Sequence, residues 1–191
     1  IQNLAMYLGK IKYWQDKDSG YWEEEIDIRA SSIGICLSGL SEISDFVYVP
    51  DFLLIEGSRA LHQLTYKETD SRYPDAAQLS LIWPFAVYDT ILANKVLSDV
   101  LLMLSRKNGC IRYVGDQYYS FYGQEMEWPL LQLQLSIIGC ANKVSPLIEE
   151  YNFPEGFYGG TETTNPNTPL GWCVAMHWME QMHNEHNILR I

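Results

Sequence analysis

The sequence predicts an all-α protein, and three observations carry that prediction. Apolar residues recur at helical spacing in several long segments, no segment keeps the strict alternation of a strand, and clusters of Pro, Gly and Asn separate the periodic stretches. A chain of 191 residues with 47% hydrophobic and 19% charged content is an ordinary globular chain long enough for one core. One domain over 1-191 is expected.

Ile1, Leu4, Ala5 and Leu8 read as the middle of a helix, so the natural amino terminus is expected to lie upstream. From Ile26 to Ile43 the apolar positions Ile26, Ala30, Ile33, Leu37 and Leu40 define a helix, and Ala30, Ser31, Ser32, Gly34 and Gly39 permit close packing. Pro50 and Asp51 open a second helix that ends near Tyr66, and a polar turn follows over Lys67 to Pro74. Asp75 caps a helix through Ala76, Leu79 and Ile82, which Pro84 stops or kinks. Tyr88 to Ser105 is a long periodic segment, whereas Gly109 to Tyr119 is broken by Gly115 and Asp116 into an irregular loop. Glu127 to Cys140 is helical with Pro129 in its first turn. Tyr151 to Pro169, rich in Gly, Thr, Asn and Pro, is a long loop of a kind more often functional than idle, and a last helix runs from Leu170 to about Met182.

The formal net charge of −11, without any basic run, excludes nucleic acid and anionic membrane surfaces as partners. No apolar run is long enough to span a membrane, and a cytoplasmic location is expected. Cys36, Cys110, Cys140 and Cys173 form no C-x-x-C pair and are expected as buried, reduced thiols. His183 and His186 share one helical face beside Glu185, but no further ligands accompany them, so no metal site is assigned.

Chemistry concentrates in three acidic-aromatic groups. Gly20-Tyr21-Trp22-Glu23-Glu24-Glu25 sets three carboxylates beside a large ring, an environment able to hold one carboxyl protonated for general-acid work; the plainer reading is acidic decoration of a helix start. Glu149, Glu150 and Glu155 flank the long loop among Tyr151, Phe153, Phe157 and Tyr158. A protonated and an ionised carboxyl facing each other across a sugar cleave a glycosidic bond. Glu127-Trp128 is either a sugar-facing pair or a helix-start carboxylate beside a core ring.

Several ordered blocks resemble the glucoamylase-like glycoside hydrolases, glycoside hydrolase family 15, and in particular the branch that includes the regulatory subunits of phosphorylase kinase. They are Ile1-Gln2-Asn3-Leu4, Gly20-Tyr21-Trp22-Glu23-Glu24, Arg29-Ala30-Ser31-Ser32-Ile33-Gly34, Asp75-Ala76-Ala77-Gln78-Leu79, Arg112 to Tyr119, Glu127-Trp128-Pro129-Leu130, Pro154-Glu155-Gly156-Phe157 and Asn165 to Trp172. The resemblance implies an (α/α)6 toroid of helical hairpins, of which this chain is an incomplete, carboxyl-terminal part of the catalytic domain.

The resemblance also implies inverting hydrolysis of terminal α-glucosidic bonds in α-glucans or small α-glucosides. Glu23 is then the acid and Glu155 the base, with Glu149 and Glu150 as alternatives for the base, and the two carboxyls are expected roughly 6.5 to 9.5 Å apart. Trp22, Trp128 and Trp172 are the candidate sugar-facing rings, with Glu24, Arg29 and Glu127 as supporting polar groups. No cofactor is implied. The rival reading is a catalytically inactive carbohydrate-binding or regulatory module. The family's Arg-Asp sugar grip has no match here, and exposed apolar helix faces are expected to pair with a missing half-domain or a second copy.

Overall fold

The computed structural model describes the backbone of residues 1–140 and 145–186, with side chains over 1–140 and 148–183. His186 and Glu185, considered above as metal ligands, have side chains outside these residues. Two compact units divide the chain, Ile1–Val96 and Leu97–Ile191. No helix is long and apolar enough to cross a membrane.

In the first unit, α1 (Gln2–Ile11) is followed by the irregular segment 12–29, then α2 (Ala30–Ile43) and α3 (Asp51–Leu64). Helix α2 starts four residues later than its periodicity suggests. An antiparallel bridge between Asp18 and Asp27 draws the chain out before Arg29, which is extended at φ −123°, and leaves Ile26 71% exposed. Ala5, Tyr13, Ile33, Leu40, Leu53 and Leu61 form the core, each large aliphatic side chain stabilising the fold by about 1.5–3 kcal/mol. Gly34 earns its place by packing, since a Cβ there would fall 2.2 Å from a methyl of Leu81. Gly39 meets nothing within 4 Å, so its expected packing role is not found.

Asp75 caps the next element as expected, accepting from the Ala77 amide at 2.8 Å. That element is a 3-10 helix (Ala76–Leu81) whose six residues are all buried. The expected polar turn before it is not polar in setting: Glu68 and Thr69 are buried, and a bridge between Thr69 and Arg72 folds the segment inward.

Helix α4 (Thr90–Asp99) continues into a π-helical turn (Val100–Leu104), which together make up the single periodic segment read from the sequence. In the second unit, α5 (Pro129–Ile137) is buried along every residue but Gln132 and packs on α7 (Gly171–His186). A helix buried nearly all round is a central one. Glu127 and Trp128, expected inside this helix, lie before it in extended backbone, Trp128 at φ −97° and ψ 109°. Isolated antiparallel bridges link Cys110 to Trp128, Glu127 to Phe157 and Phe157 to Thr164, so the loops are laced by short pairings and not by a sheet. The short helix α6 (Ser145–Glu150) has no counterpart among the sequence expectations. All four cysteines are free thiols; Cys110 and Cys173 are buried, but Cys36 and Cys140 only half-buried, so the expectation of four buried thiols holds for two.

Candidate active site

The first unit displays Glu23 on the loop closed by the Asp18–Asp27 bridge. Gly20, at φ +69°, makes the turn, and a Cβ on it would fall 2.0 Å from Cδ of Arg29. Asp18 Oδ1 accepts from the Gly20 amide at 2.5 Å and from Ser32 Oγ at 2.9 Å, tying the loop to α2. Glu23 itself is exposed and left-handed at φ +54°, a conformation that costs a residue with a Cβ about 1–2 kcal/mol. Lys12 and Tyr119 share it, so strain alone does not mark Glu23.

Trp22 is buried behind that turn. Its indole Nε1 donates to Asp75 Oδ1 at 2.8 Å, and its ring meets Tyr21 edge-on at 4.9 Å. Glu24 Oε2 accepts from Arg72 Nη1 at 2.8 Å, and the same nitrogen lies 3.7 Å from Asp75 Oδ2. Arg29 is 1% exposed; its Nη2 donates to the Glu25 carbonyl, and its positive charge acts on Glu68. Glu68, wholly buried, accepts from Ser31 Oγ at 2.5 Å and from the Ser31 amide at 3.2 Å. Burial first, and the Asp75 charge second, push its carboxyl up to about 8, while burial pushes Asp75 up to about 6. Two carboxyls sharing one low-dielectric interior resist ionising together. Sequence reading missed Glu68 and Arg72, which sit in a turn with no pattern to mark them.

In the second unit Glu155 is the organising carboxylate, 9% exposed. Its Oε2 accepts from Asn165 Nδ2 at 2.5 Å, Asn167 Nδ2 at 2.8 Å and Tyr118 Oη at 3.2 Å, while among the described residues Oε1 faces only Tyr118, at 3.3 Å. The Glu155 amide donates to the Asn167 carbonyl at 3.1 Å, so the loop 155–167 closes on itself around the carboxylate. Tyr118 is fixed from behind. Its ring stacks on Trp128 at 5.8 Å and 29°, and Arg112 lies 4.9 Å from the Tyr118 ring and 5.3 Å from that of Trp128. Arg112 is held by a bidentate ion pair to Asp116, at 2.7 and 2.6 Å, and Asp116 Oδ1 also accepts the Tyr118 amide at 2.9 Å. Burial and the Glu155 charge raise the Tyr118 phenol above its ordinary value, which keeps its proton available for donation. Tyr118, Asn165 and Asn167 lay within blocks noted in the sequence, but nothing there assigned them to Glu155.

Glu127 stands just before α5 beside the buried ring of Trp128, as the plainer reading expects. It is 2% exposed, its Oε2 accepts the Asn108 amide at 2.7 Å and its Oε1 the Gly160 amide at 2.8 Å, so both oxygens staple loops. Trp172 is 58% exposed on the first turn of α7. Glu149, the alternative base, lies 3.1 Å from Nε2 of buried His177.

The helical framework is that of a glycosidase fold. A solved glycosidase superposes with a TM-score of 0.72 over 96% of this chain and 58% of that chain at 19% identity, and one described as in complex with glucose gives 0.72 at 18% identity over the same shares. All-α architecture forming part of a helical toroid, as expected, is what these matches support. Among curated proteins, the liver isoform of the phosphorylase b kinase regulatory subunit alpha of Mus musculus is 25% identical over 193 residues. The probable beta regulatory subunit of Drosophila melanogaster is 27% identical over 190. Each covers 79% of this chain, which spans about 15 to 17% of their length. No family model matches the chain. The two sides of the resemblance read from the sequence thus recur one in each comparison, a glycosidase fold among the solved structures and phosphorylase kinase regulatory subunits among the curated proteins.

Proposed function

We propose that this chain carries the two carboxyl groups of an inverting α-glucosidase acting at terminal α-glucosidic bonds of α-glucans or small α-glucosides. Glu23 is the general acid that protonates the departing glycosidic oxygen, and Glu155 is the base that takes a proton from the attacking water. The observation that carries this reading is the unequal occupation of the Glu155 oxygens. Three donors meet Oε2, while among the described residues Oε1 has only the shared Tyr118 hydroxyl, and a carboxylate oxygen offers about two lone-pair directions. Oε1 is the atom with capacity left for water. Trp172 supplies a ring for the sugar, Trp22 supports the Glu23 turn from beneath, and Trp128 acts through Tyr118. Glu24 and Arg29 brace the Glu23 turn, and Glu127 holds the loops around Glu155. The protein is expected to work in the cytoplasm and to be complete only with a further half-domain or a second copy.

A second reading, a glycan-binding or regulatory module without turnover, is favoured by the curated relatives, which are regulatory subunits by name. Glucose release from maltose, maltooligosaccharides, trehalose and isomaltose by the whole gene product, with the first anomer followed by NMR, separates the two. Initial β-glucose supports the hydrolase; folded protein that binds oligosaccharide and releases nothing supports the module.

A further inference from the structure

The first unit contains a cleft of about 570 Å³ that the proposed chemistry does not use. Small-molecule sites commonly span about 300–1,000 Å³, so the space admits a short oligosaccharide. Trp14, Gln15 and Lys17 line it from the turn and extended segment entering the Glu23 loop, Asp27 from the segment leaving that loop, and Gln63 and Asp70 from the end of α3 and the turn beyond. The cleft therefore flanks the stem that the Asp18–Asp27 bridge closes.

Its chemistry selects a neutral, hydroxyl-rich ligand. Among the described residues, the side chains of Gln15, Lys17, Gln63 and Asp70 make no hydrogen bond, so donors and acceptors stand together unspent. An amide side chain offers both a donor and an acceptor to a hydroxyl. Trp14 is half-buried, and its ring neighbours Tyr13 at 5.5 Å and Phe52 at 6.3 Å both meet it nearly perpendicular; no described ring lies flat on it. A flat indole beside polar groups suits the apolar face of a pyranose. Lys17 and Arg59 nearly balance Asp27, Glu56 and Asp70, with Arg59 already paired to Glu56 at 2.5 Å, which disfavours a strongly charged ligand.

We propose that this cleft is a second saccharide site, taking a short neutral oligosaccharide against Trp14 with Gln15, Lys17, Gln63 and Asp70 bonding its hydroxyls. The site does not depend on turnover at Glu23 and Glu155. Its occupant touches both segments of the loop stem, so binding there bears on the loop that displays Glu23.

The test is a maltotriose titration of the ¹⁵N-labelled full chain, read at the tryptophan indole signals, with Trp14 assigned through Trp14→Phe. The Trp14 signal is expected to move saturably, and the paired surface substitutions Lys17→Ala and Gln63→Ala are expected to weaken that response at least fivefold. Glu155→Gln should leave it within twofold. A Trp14 signal that stays put while others move, an affinity unchanged in the paired variant, or no response to maltotriose at all overturns the proposal. Failure of the parent protein to release glucose, with the Trp14 response intact, removes the hydrolase reading and leaves this one standing.

Discussion

The Glu23 turn and the Glu155 loop hold their carboxyls by opposite means. Glu23 is exposed and steered by what lies beneath it: Trp22 pinned to Asp75, Glu24 pinned to Arg72, and a glycine turn braced on Arg29. Glu155 is buried and steered by donors bonded to it directly, Tyr118, Asn165 and Asn167. An acid must reach its leaving group and give up a proton, which suits a group placed by backbone shape. A base must stay oriented toward water, which suits a group placed by hydrogen bonds.

The sharpest break of this comparison is catalytic. In the whole gene product Glu23→Gln and Glu155→Gln are each expected to lower kcat by about 10²–10⁴-fold, the usual contribution of a positioned acid or base; glucose release left intact by either change would falsify its assignment. Next in size is the brace behind Tyr118. Asp116→Ala leaves Arg112 with its charge buried at 5% exposure, and loss of one partner of such a pair costs about 3–5 kcal/mol. Urea unfolding monitored at Trp128 should show it, while Lys107→Ala at the exposed pair with Glu162 should leave the midpoint in place.

The third expectation concerns pH and the first unit alone. Glu68 and Asp75 are raised in the fold, so the folded chain binds their protons more tightly than the unfolded chain. That contribution is complete below the unfolded values near 4 and disappears as pH rises through about 6 and then about 8. Melting temperature should therefore fall between pH 5 and pH 8, and Glu68→Gln should flatten the slope. A melting temperature that rises over this interval in the parent, and not in the variant, contradicts the buried pair. The smallest effect is Tyr118→Phe, which keeps the stack on Trp128 and removes the hydroxyl's bond to Glu155 and the long one it accepts from Asn167, about 1 kcal/mol of stability. Its kcat should drop further than that stability change explains if Tyr118 orients Glu155.

Local chemistry is what the sequence made legible. The Asp75 cap, the Pro50 and Pro129 helix starts, the Ala30–Ile43 period and the long loop before Gly171 each depend on neighbours a few residues away. Where the expectations slipped, a distant partner intervened. Trp128 leaves the helical pattern because it pairs with Cys110, and residues 26–29 leave it because Asp27 pairs with Asp18. Glu68 gives no signal because its partner Ser31 lies 37 residues away, and the donors to Glu155 come from two separate segments. The 3-10 geometry over Ala76–Leu81 is likewise something that apolar periodicity cannot distinguish from an ordinary helix.

The Glu127 staple has a consequence for how such a site drifts through evolution. Its carboxylate reads only main-chain amides, at Asn108 and Gly160, and every residue except proline supplies that donor. The bond at 108 therefore does not depend on which side chain that residue carries, but the one at 160 does, because Gly160 is left-handed at φ +71° and a Cβ there would fall 2.5 Å from Gln124 Oε1; Glu127→Gln strands one amide, since a side-chain carboxamide offers a single acceptor oxygen. Descendants of this chain can exchange the residue at 108 and keep the hand that holds it, while the glycine at 160 has to stay.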